Sequence, residues 1–376
     1  MSSKSKTNKV LISIWADPSN YLNLLFLINY LIKNGKKITL ICEKIQNKND
    51  FFYFVKNSNK LSVIEINSQG KYGYIKFFLY KIWIITKFRF DMIISVNFIS
   101  LFFSSFFSLF FRLHKTKWIY YNFDFDSGIK FNLNNFIEKI FIKKVDYIFV
   151  PSDSRLKLYK KIFNRKKNIY SIYNSFSCNF SIKNKTSLPF KLRNKKFFVR
   201  LGSFYKYHGL KKLALATKFW KKDIYLVMAG KSYNNYFKTL KDLKKNNNLR
   251  QLILYEDISY RVWFGLLEKA FAGFAFYDPI NVSHSLMGGT PQKLNNYIFA
   301  GIPSFVTRNA DFKKFNEKNK TSILVNNNSI IDINLKLSKI LEDKKKYNFL
   351  KKKNNEAFKK KFNFETQIEP IKKILL

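Results

Sequence analysis

Short apolar runs that alternate with helix-length amphipathic stretches constrain this chain most. Residues 10–15 (VLISIW) are apolar enough for a strand buried on both faces of a sheet. A turn cluster, 16–20 (ADPSN), leads into a helical stretch, 21–33, closed by Asn34 and Gly35. Residues 38–42 (ITLIC) read as the next strand. Strand, helix and strand in that order predict a parallel sheet. No GxGxxG follows the first strand, so the dinucleotide fingerprint is absent. The alternation continues with strands at 61–66, 91–95, 118–122, 147–150 and 169–173. Helices are expected at 72–88, 98–113 and near 134–144.

A polar stretch without period, 174–196, interrupts this pattern and reads as a linker. A second alternation begins at 197–201 and runs to a long loop, 277–290, and a helix, 291–300. The expected organisation is an N-terminal α/β domain at 1–175, a linker at 176–196, a C-terminal α/β domain at 197–343 and a basic helix at 344–376. A chain of 376 residues also exceeds what one core usually covers. Two such halves would face each other across a cleft, with ligands outside the carboxyl ends of the strands.

Lys and Arg number 69 against 24 Asp and Glu, a formal net charge of +45. With 47% hydrophobic residues the chain can bury large cores, which excludes global disorder. The charge has two readings. One is a residue vocabulary rich in Lys, Asn, Ile and Phe. The other is attraction to a polyanion: nucleic acid, an anionic membrane or a phosphorylated ligand. A nucleic-acid-binding protein is the rival from another class, although no RRM, KH, zinc-finger or helix-turn-helix signature is present. Cys42 and Cys178 match no metal spacing and fit a reducing compartment. The run 10–15 is too short for a signal-peptide core. The most apolar stretch, 98–111, is interrupted by Ser100, Ser104, Ser105 and Ser108 and falls short of the ~20 residues that span a bilayer. The expectation is a cytoplasmic protein, soluble or peripheral on the inner face of the membrane.

The most informative segment is 287–303 (MGGTPQKLNNYIFAGIP). Thr290 suits an N-cap and Pro291 a first helical position. Gly301 suits the residue past the helix end, and Pro303 stops continuation. The helix N-terminus, approached by Gly288 and Gly289, presents unpaired N–H groups to an anion. Lys293, in the first turn, opposes the helix dipole unless an anion sits there. Asn296, three residues on, shares its face. Spacing alone leaves open a plain capped helix with a solvated lysine.

This segment resembles the donor-binding signature of GT-B glycosyltransferases, in particular family 4, Pro-x-Lys-x-x-Glu-Tyr-x-x-x-Gly-x-Pro. Here it reads Pro291, Lys293, Asn296, Tyr297, Gly301 and Pro303. Asn296 stands where the family usually has a Glu on the nucleotide ribose. Residues 200–210 (RLGSFYKYHGL) resemble the family's glycine loop, which contributes Gly202 and Ser203. His208 precedes Gly209 where Lys or Arg is usual, and Lys206 is the nearby cation. Met228, Ala229 and Gly230 match a strand end. Ile258 falls where a loop packs on the base. Residues 150–152 and 173–174 match further strand ends, so the resemblance runs over roughly 10–341.

The resemblance implies a GT-B fold of two Rossmann-like domains. It implies sugar transfer from a nucleoside-diphosphate sugar to a glycan or lipid-linked acceptor, with retention, in surface polysaccharide or lipopolysaccharide synthesis. It implies no cofactor and no metal, the leaving diphosphate being met by Lys293, Lys206 and helix amides. Gly202, Ser203, Lys206, His208, Ile258, His284, Gly289, Thr290, Lys293 and Asn296 are the expected donor-binding residues. Asp124 and Asp17 are the acceptor-side catalytic candidates, with a turn or cap role as the alternative for Asp17. Asn296 and His208 also fit a catalytically weak GT-B-like partner subunit. The helix 72–90, with Lys76, Lys81, Lys87 and Arg89 among aromatics, and the stretch 98–111 are expected either to pack on the sheet or to rest on an anionic bilayer.

Overall fold

The computed structural model describes residues 8–55, 58–67, 72–123, 133–165, 167–180, 188–232 and 235–376. The chain divides into two compact units, Met1–Ile172 with Ile368–Leu376, and Tyr173–Gln367. Each is built on one parallel sheet, as the strand–helix alternation predicts.

The first sheet uses β1 (Lys9–Ile14), β2 (Lys37–Glu43), β3 (Leu61–Ile66), β4 (Met92–Val96), β5 (Lys117–Tyr121), β6 (Tyr147–Val150) and β7 (Ile169–Ser171). Their order is β3-β2-β1-β4-β5-β6-β7, and every pairing is parallel. β4, at the centre beside β1, is buried along its whole length, which is why it carries no charge. The helix Leu22–Lys33 buries Leu24, Leu25, Leu27, Ile28 and Leu31. In this unit two helices escape the sequence reading: Lys48–Phe54, capped by Asn47, and Asp153–Ile162, capped by Ser152.

The single helix expected over 98–113 is two, Asn97–Ser105 and Ser108–Leu113. Serine hydroxyls compete for helix carbonyls at the break: Ser104 donates to Ser100 O at 2.9 Å and Ser105 to Phe102 O at 2.6 Å. The same serines answer a second question. Lys81, expected on a solvent face of the helix Gly73–Lys87, is fully buried. Its ammonium donates to Ser100 O at 2.8 Å, Ser100 Oγ at 3.2 Å and Ser104 Oγ at 2.5 Å. Ser13 on β1, Ser95 on β4 and the Trp118 indole on β5 complete this polar cluster. Burial holds the Lys81 pKa well below that of an ordinary lysine.

The second sheet uses β8 (Lys196–Leu201), β9 (Ile224–Gly230), β10 (Leu252–Glu256), β11 (Ala272–Ala275), β12 (Ser304–Thr307) and β13 (Ser322–Val325). The order is β10-β9-β8-β11-β12-β13, again parallel throughout. Chain order reverses between β8 and β11, so their carboxyl ends flank the switch point where ligands of such sheets bind. Phe198, Phe274 and Phe305 on adjacent strands fill the core, with Phe274 stacked on Phe305 at 4.8 Å. Within the stretch expected as linker, Phe176 is fully buried and stacks on Phe299 at 4.3 Å; residues 181–187 lie outside the described ones.

The basic tail is not one helix. Lys344–Lys360 ends where Phe362 and Phe364 turn inward, and the short helices Phe364–Ile368 and Lys372–Leu375 follow. The last nine residues pack on the first unit. Lys36 donates to Leu376 O at 3.0 Å, and Lys117 to Ile374 O at 2.9 Å.

Candidate functional site

At the switch point β8 gives way to Gly202, at φ +116°, and β9 ends on Gly230, at φ +154°. The two backbones touch: Gly202 N–H donates to Ala229 O at 2.8 Å, and a Cβ on Gly230 would lie 2.2 Å from Gly202 O. Only glycine meets both demands at these positions.

Lys293 lies over this turn. It comes from the first turn of the helix Gln292–Phe299, which starts one residue later than expected. Pro291, at ψ 132°, is the N-cap, while the Thr290 hydroxyl donates back to Leu286 O at 3.2 Å. Thr290 is therefore not the cap, and no side chain caps this N-terminus. The loop before it is pinned from several sides. Gly288 N–H donates to Asp311 at 2.6 Å, Asn174 to Thr290 O at 3.0 Å, and Asn295 to Gly289 O at 2.8 Å. Gly289, at φ +84°, leaves no room for a Cβ against Tyr173.

Tyr297 fastens the helix to the sheet. Its hydroxyl accepts from Leu201 N–H at 3.3 Å and donates to Phe274 O at 3.2 Å, joining β8 to β11. Its ring occupies the space that a Cβ on Gly273 would need, at 2.4 Å. At the other end Gly301, at φ +67°, closes a Schellman motif: its N–H reaches Ile298 O at 3.1 Å, and Ile302 N–H reaches Tyr297 O at 3.1 Å.

The site is electropositive. The Lys293 ammonium donates to Tyr277 Oη at 2.9 Å and lies 4.8 Å from the ring centroid. Burial, reinforced by the nearby Arg200 cation, holds its pKa well below the lysine range. Arg200, on β8, is 2% exposed, and its own pKa is pulled down to about 10 by burial. Its guanidinium donates to Gly202 O, to Ser203 O at 2.7 Å and to His208 Nδ1 at 2.7 Å. His208 is buried, and its pKa is driven well below that of free histidine by burial and then by Lys293 and Arg200. His284 donates from Nδ1 to Asp278 O at 3.0 Å, with its ring 6.4 Å from that of His208.

The structure thus brings Gly202, Ser203, His208, His284 and Lys293 together. Arg200 and Tyr277 join them unforeseen; the available signal was an arginine inside the apolar strand FFVRL. Lys206 is exposed, with its ammonium 4.8 Å from the Tyr207 ring centroid. Asn296 is buried and accepts from the Gln292 amide at 3.0 Å. Ile258 is half-buried just past β10, the strand beside β9.

In the first unit Asp17 acts as a cap. Its Oδ1 accepts from Ser19 N–H at 2.9 Å and from the Ser19 hydroxyl at 2.6 Å, and its Oδ2 from Gln46 N–H at 3.2 Å. Asp124 lies outside the described residues. Past β5 the structure adds a buried cluster that the sequence did not suggest. Tyr120 and Tyr159 donate to Glu138 at 2.8 and 3.0 Å, and Asn122 donates to Tyr120 at 2.8 Å.

The helix Gly73–Lys87 turns outward an aromatic and aliphatic stripe: Ile75, Leu79, Tyr80 and Trp83, with Lys76 and Lys87 beside it. Phe106, Leu109 and Leu113 extend the exposed apolar surface, joined to the stripe's helix by Phe78 packing on Phe106 at 5.3 Å. Residues 72–90 and 97–117 contain no Asp or Glu. Among the described residues no helix is long and apolar enough to cross a membrane, and no group of three His, Cys, Asp or Glu is placed to hold a metal ion.

Two parallel Rossmann-like sheets, with a glycine turn and a capless helix at the switch point of the second, define the GT-B fold. Solved structures of that fold match almost the whole chain. HepE of Anabaena, in complex with UDP and glucose, is 12% identical with a TM-score of 0.75, over 98% of this chain and 99% of that one. Sucrose-phosphate synthase of Thermosynechococcus elongatus is 14% identical with a TM-score of 0.71, over 97% and 98%. WaaG, a glycosyltransferase involved in lipopolysaccharide biosynthesis, is 9% identical with a TM-score of 0.67, over 97% and 99%. No protein-family model and no curated protein matches the sequence.

Proposed function

We propose that the protein is a glycosyltransferase that takes a sugar from a nucleoside-diphosphate sugar held at the carboxyl end of the second sheet. One observation carries this reading. Arg200 and Lys293, two largely desolvated cations, stand beside an uncapped helix N-terminus, and among the described residues the charge that acts on Lys293 is the other cation. Such an arrangement is costly unless an anion completes it. A diphosphate fits, and its leaving charge would be stabilised by Lys293, the loop after Gly202 and the amides at 292–294, without a metal. HepE and its bound UDP-glucose support the choice of donor class.

The acceptor in this reading is a glycan or a lipid-linked glycan, and transfer retains the anomeric configuration. The carboxylate-free aromatic stripe of the first unit supports a peripheral position on an anionic, cytoplasmic membrane face, where surface polysaccharides are assembled.

Incubation with a panel of nucleotide sugars tests the proposal. The expected result is released nucleoside diphosphate and a thermal shift with one donor, both lost in Lys293→Ala. The enzyme reading is sunk if no donor binds or turns over and Lys293→Ala changes nothing.

A further inference from the structure

We propose that Arg200 is a positioning residue that locks His208 as a neutral imidazole carrying its single proton on Nε2, so that His208 offers the donor diphosphate a hydrogen-bond donor that does not titrate.

The shorter of two contacts at Nδ1 favours one tautomer. A guanidinium has no acceptor, so the 2.7 Å contact from Arg200 Nη2 requires a lone pair on His208 Nδ1. A proton on Nδ1 would point at another N–H. Ser203 O, 3.2 Å from Nδ1, is the competing partner, since a carbonyl that accepts from the guanidinium at 2.7 Å keeps a second lone pair; the shorter Arg200 contact, which an Nδ1–H could not make, decides between them. The remaining proton must be on Nε2.

A second proton is opposed by burial and by the cations Lys293, on the signature helix, and Arg200, on β8, and by His284 on the short helix Val282–Ser285; the Ser203 carbonyl alone favours it. Tyr277 and Tyr205 close the ring edges at 4.9 and 5.5 Å without supplying a carboxylate. His284 shows the contrast: donating from Nδ1 to Asp278 O, it must leave Nε2 as an acceptor when neutral. With both neutral, the two rings, 6.4 Å apart, carry opposite tautomers.

The step from tautomer to ligand rests on the donor reading above. A lysine before Gly209 would bring charge to the diphosphate. Neutral His208 brings direction only, and the charge comes from Arg200 and Lys293.

The chain has only three histidines, so nitrogen-15 spectra of labelled His can be assigned with His114→Gln, His208→Gln and His284→Gln. The expected result is an Nε2–H tautomer for His208, unchanged from about pH 8 to about pH 5.5, below the free-histidine value of about 6.5. In Arg200→Met, His208 should mix tautomers, because the contact that demands a lone pair on Nδ1 is gone while burial and Lys293 still hold its pKa down. UDP-glucose, whose diphosphate diester keeps its charge over this range, should then bind more weakly, because only part of the His208 population presents an Nε2–H. Arg200→Lys keeps a pure donor beside Nδ1 and should restore the Nε2–H signature. An Nδ1–H tautomer or ordinary titration of His208 in the unaltered protein would overturn the proposal, as would a tautomer indifferent to Arg200→Met. If the tautomer behaves as described while no nucleotide sugar binds, the Arg200–His208 coupling stands and the donor reading falls.

Discussion

Lys293 and Gly202 occupy one contact: a Cβ on Gly202 would come within 2.8 Å of Lys293 Cε. The glycine turn and the signature helix, 91 positions apart in sequence by their numbers (293 − 202), are therefore a single steric unit. Gly202→Ala should push the lysine off Tyr277 and strain a backbone held at φ +116°. Gly230→Ala should be worse, since its Cβ meets backbone rather than a movable side chain. Each left-handed strain costs on the order of 1–3 kcal/mol. Urea unfolding should rank Gly230→Ala as the less stable variant, and donor titration should show Gly202→Ala weakened beyond its stability loss. The reverse ranking would contradict the contact.

Lys293→Met should separate binding from folding. The ammonium bonds to Tyr277 but has no carboxylate partner among its resolved interactions, so its loss should leave stability unchanged or raised. Transfer should fall by about 10²–10³, the usual effect of removing one preorganised donor from a developing charge. Its pKa is depressed in the free protein, so an anion beside it should raise that pKa, with proton uptake in the pH range where the lysine of the free protein has begun to lose its proton. Calorimetry of donor binding in buffers of different ionisation enthalpy should reveal that uptake. A buffer-independent enthalpy would argue against it.

Lys81 should make stability depend on pH. Its folded pKa lies below the unfolded value of about 10.4. Between the two, the unfolded chain holds the extra proton, so its contribution favours folding more as the pH rises and levels off above about 10.4. Lys81→Met should flatten that part of the curve below about pH 10.4, measured as urea midpoints. An unaltered slope would mean the amine stays charged among the serines.

Membrane attachment should depend on the stripe rather than on the bulk charge. Leu79→Ser with Trp83→Ser should abolish flotation with phosphatidylglycerol vesicles. Lys76→Glu with Lys87→Glu should weaken it by about 1 kcal/mol or more per residue at low salt. Vesicle binding that survives all four changes would place the contact elsewhere.

The two sheets were legible because parallel strands buried on both faces must be nearly all apolar, as at 10–14 and 92–96. The signature helix was legible because Tyr297, Gly301 and Pro303 each meet a local demand: a sheet anchor, a left-handed cap and a stop. The start of that helix was misplaced by one residue, since Thr290 looks like a cap until Leu286 O takes its hydroxyl. Lys81 and Arg200 were hidden for a shared reason. A cation in an amphipathic or apolar run looks solvated; Lys81 is met by serine groups from a later helix, and Arg200 by the carbonyls of Gly202 and Ser203, where the chain turns back beyond its own strand. Asp17 had two readings, and only its three hydrogen bonds distinguish a cap from a free carboxylate.

The first unit is completed by Ile368–Leu376, after the whole of Tyr173–Gln367 has been made. At ribosomal speeds of about 5–20 residues per second, that interval is on the order of 10–40 seconds. During it Lys36 and Lys117 wait for the carbonyls of Leu376 and Ile374. The half of the protein translated first is the half that finishes last, and a premature stop near the end would cost the beginning of the chain its closure.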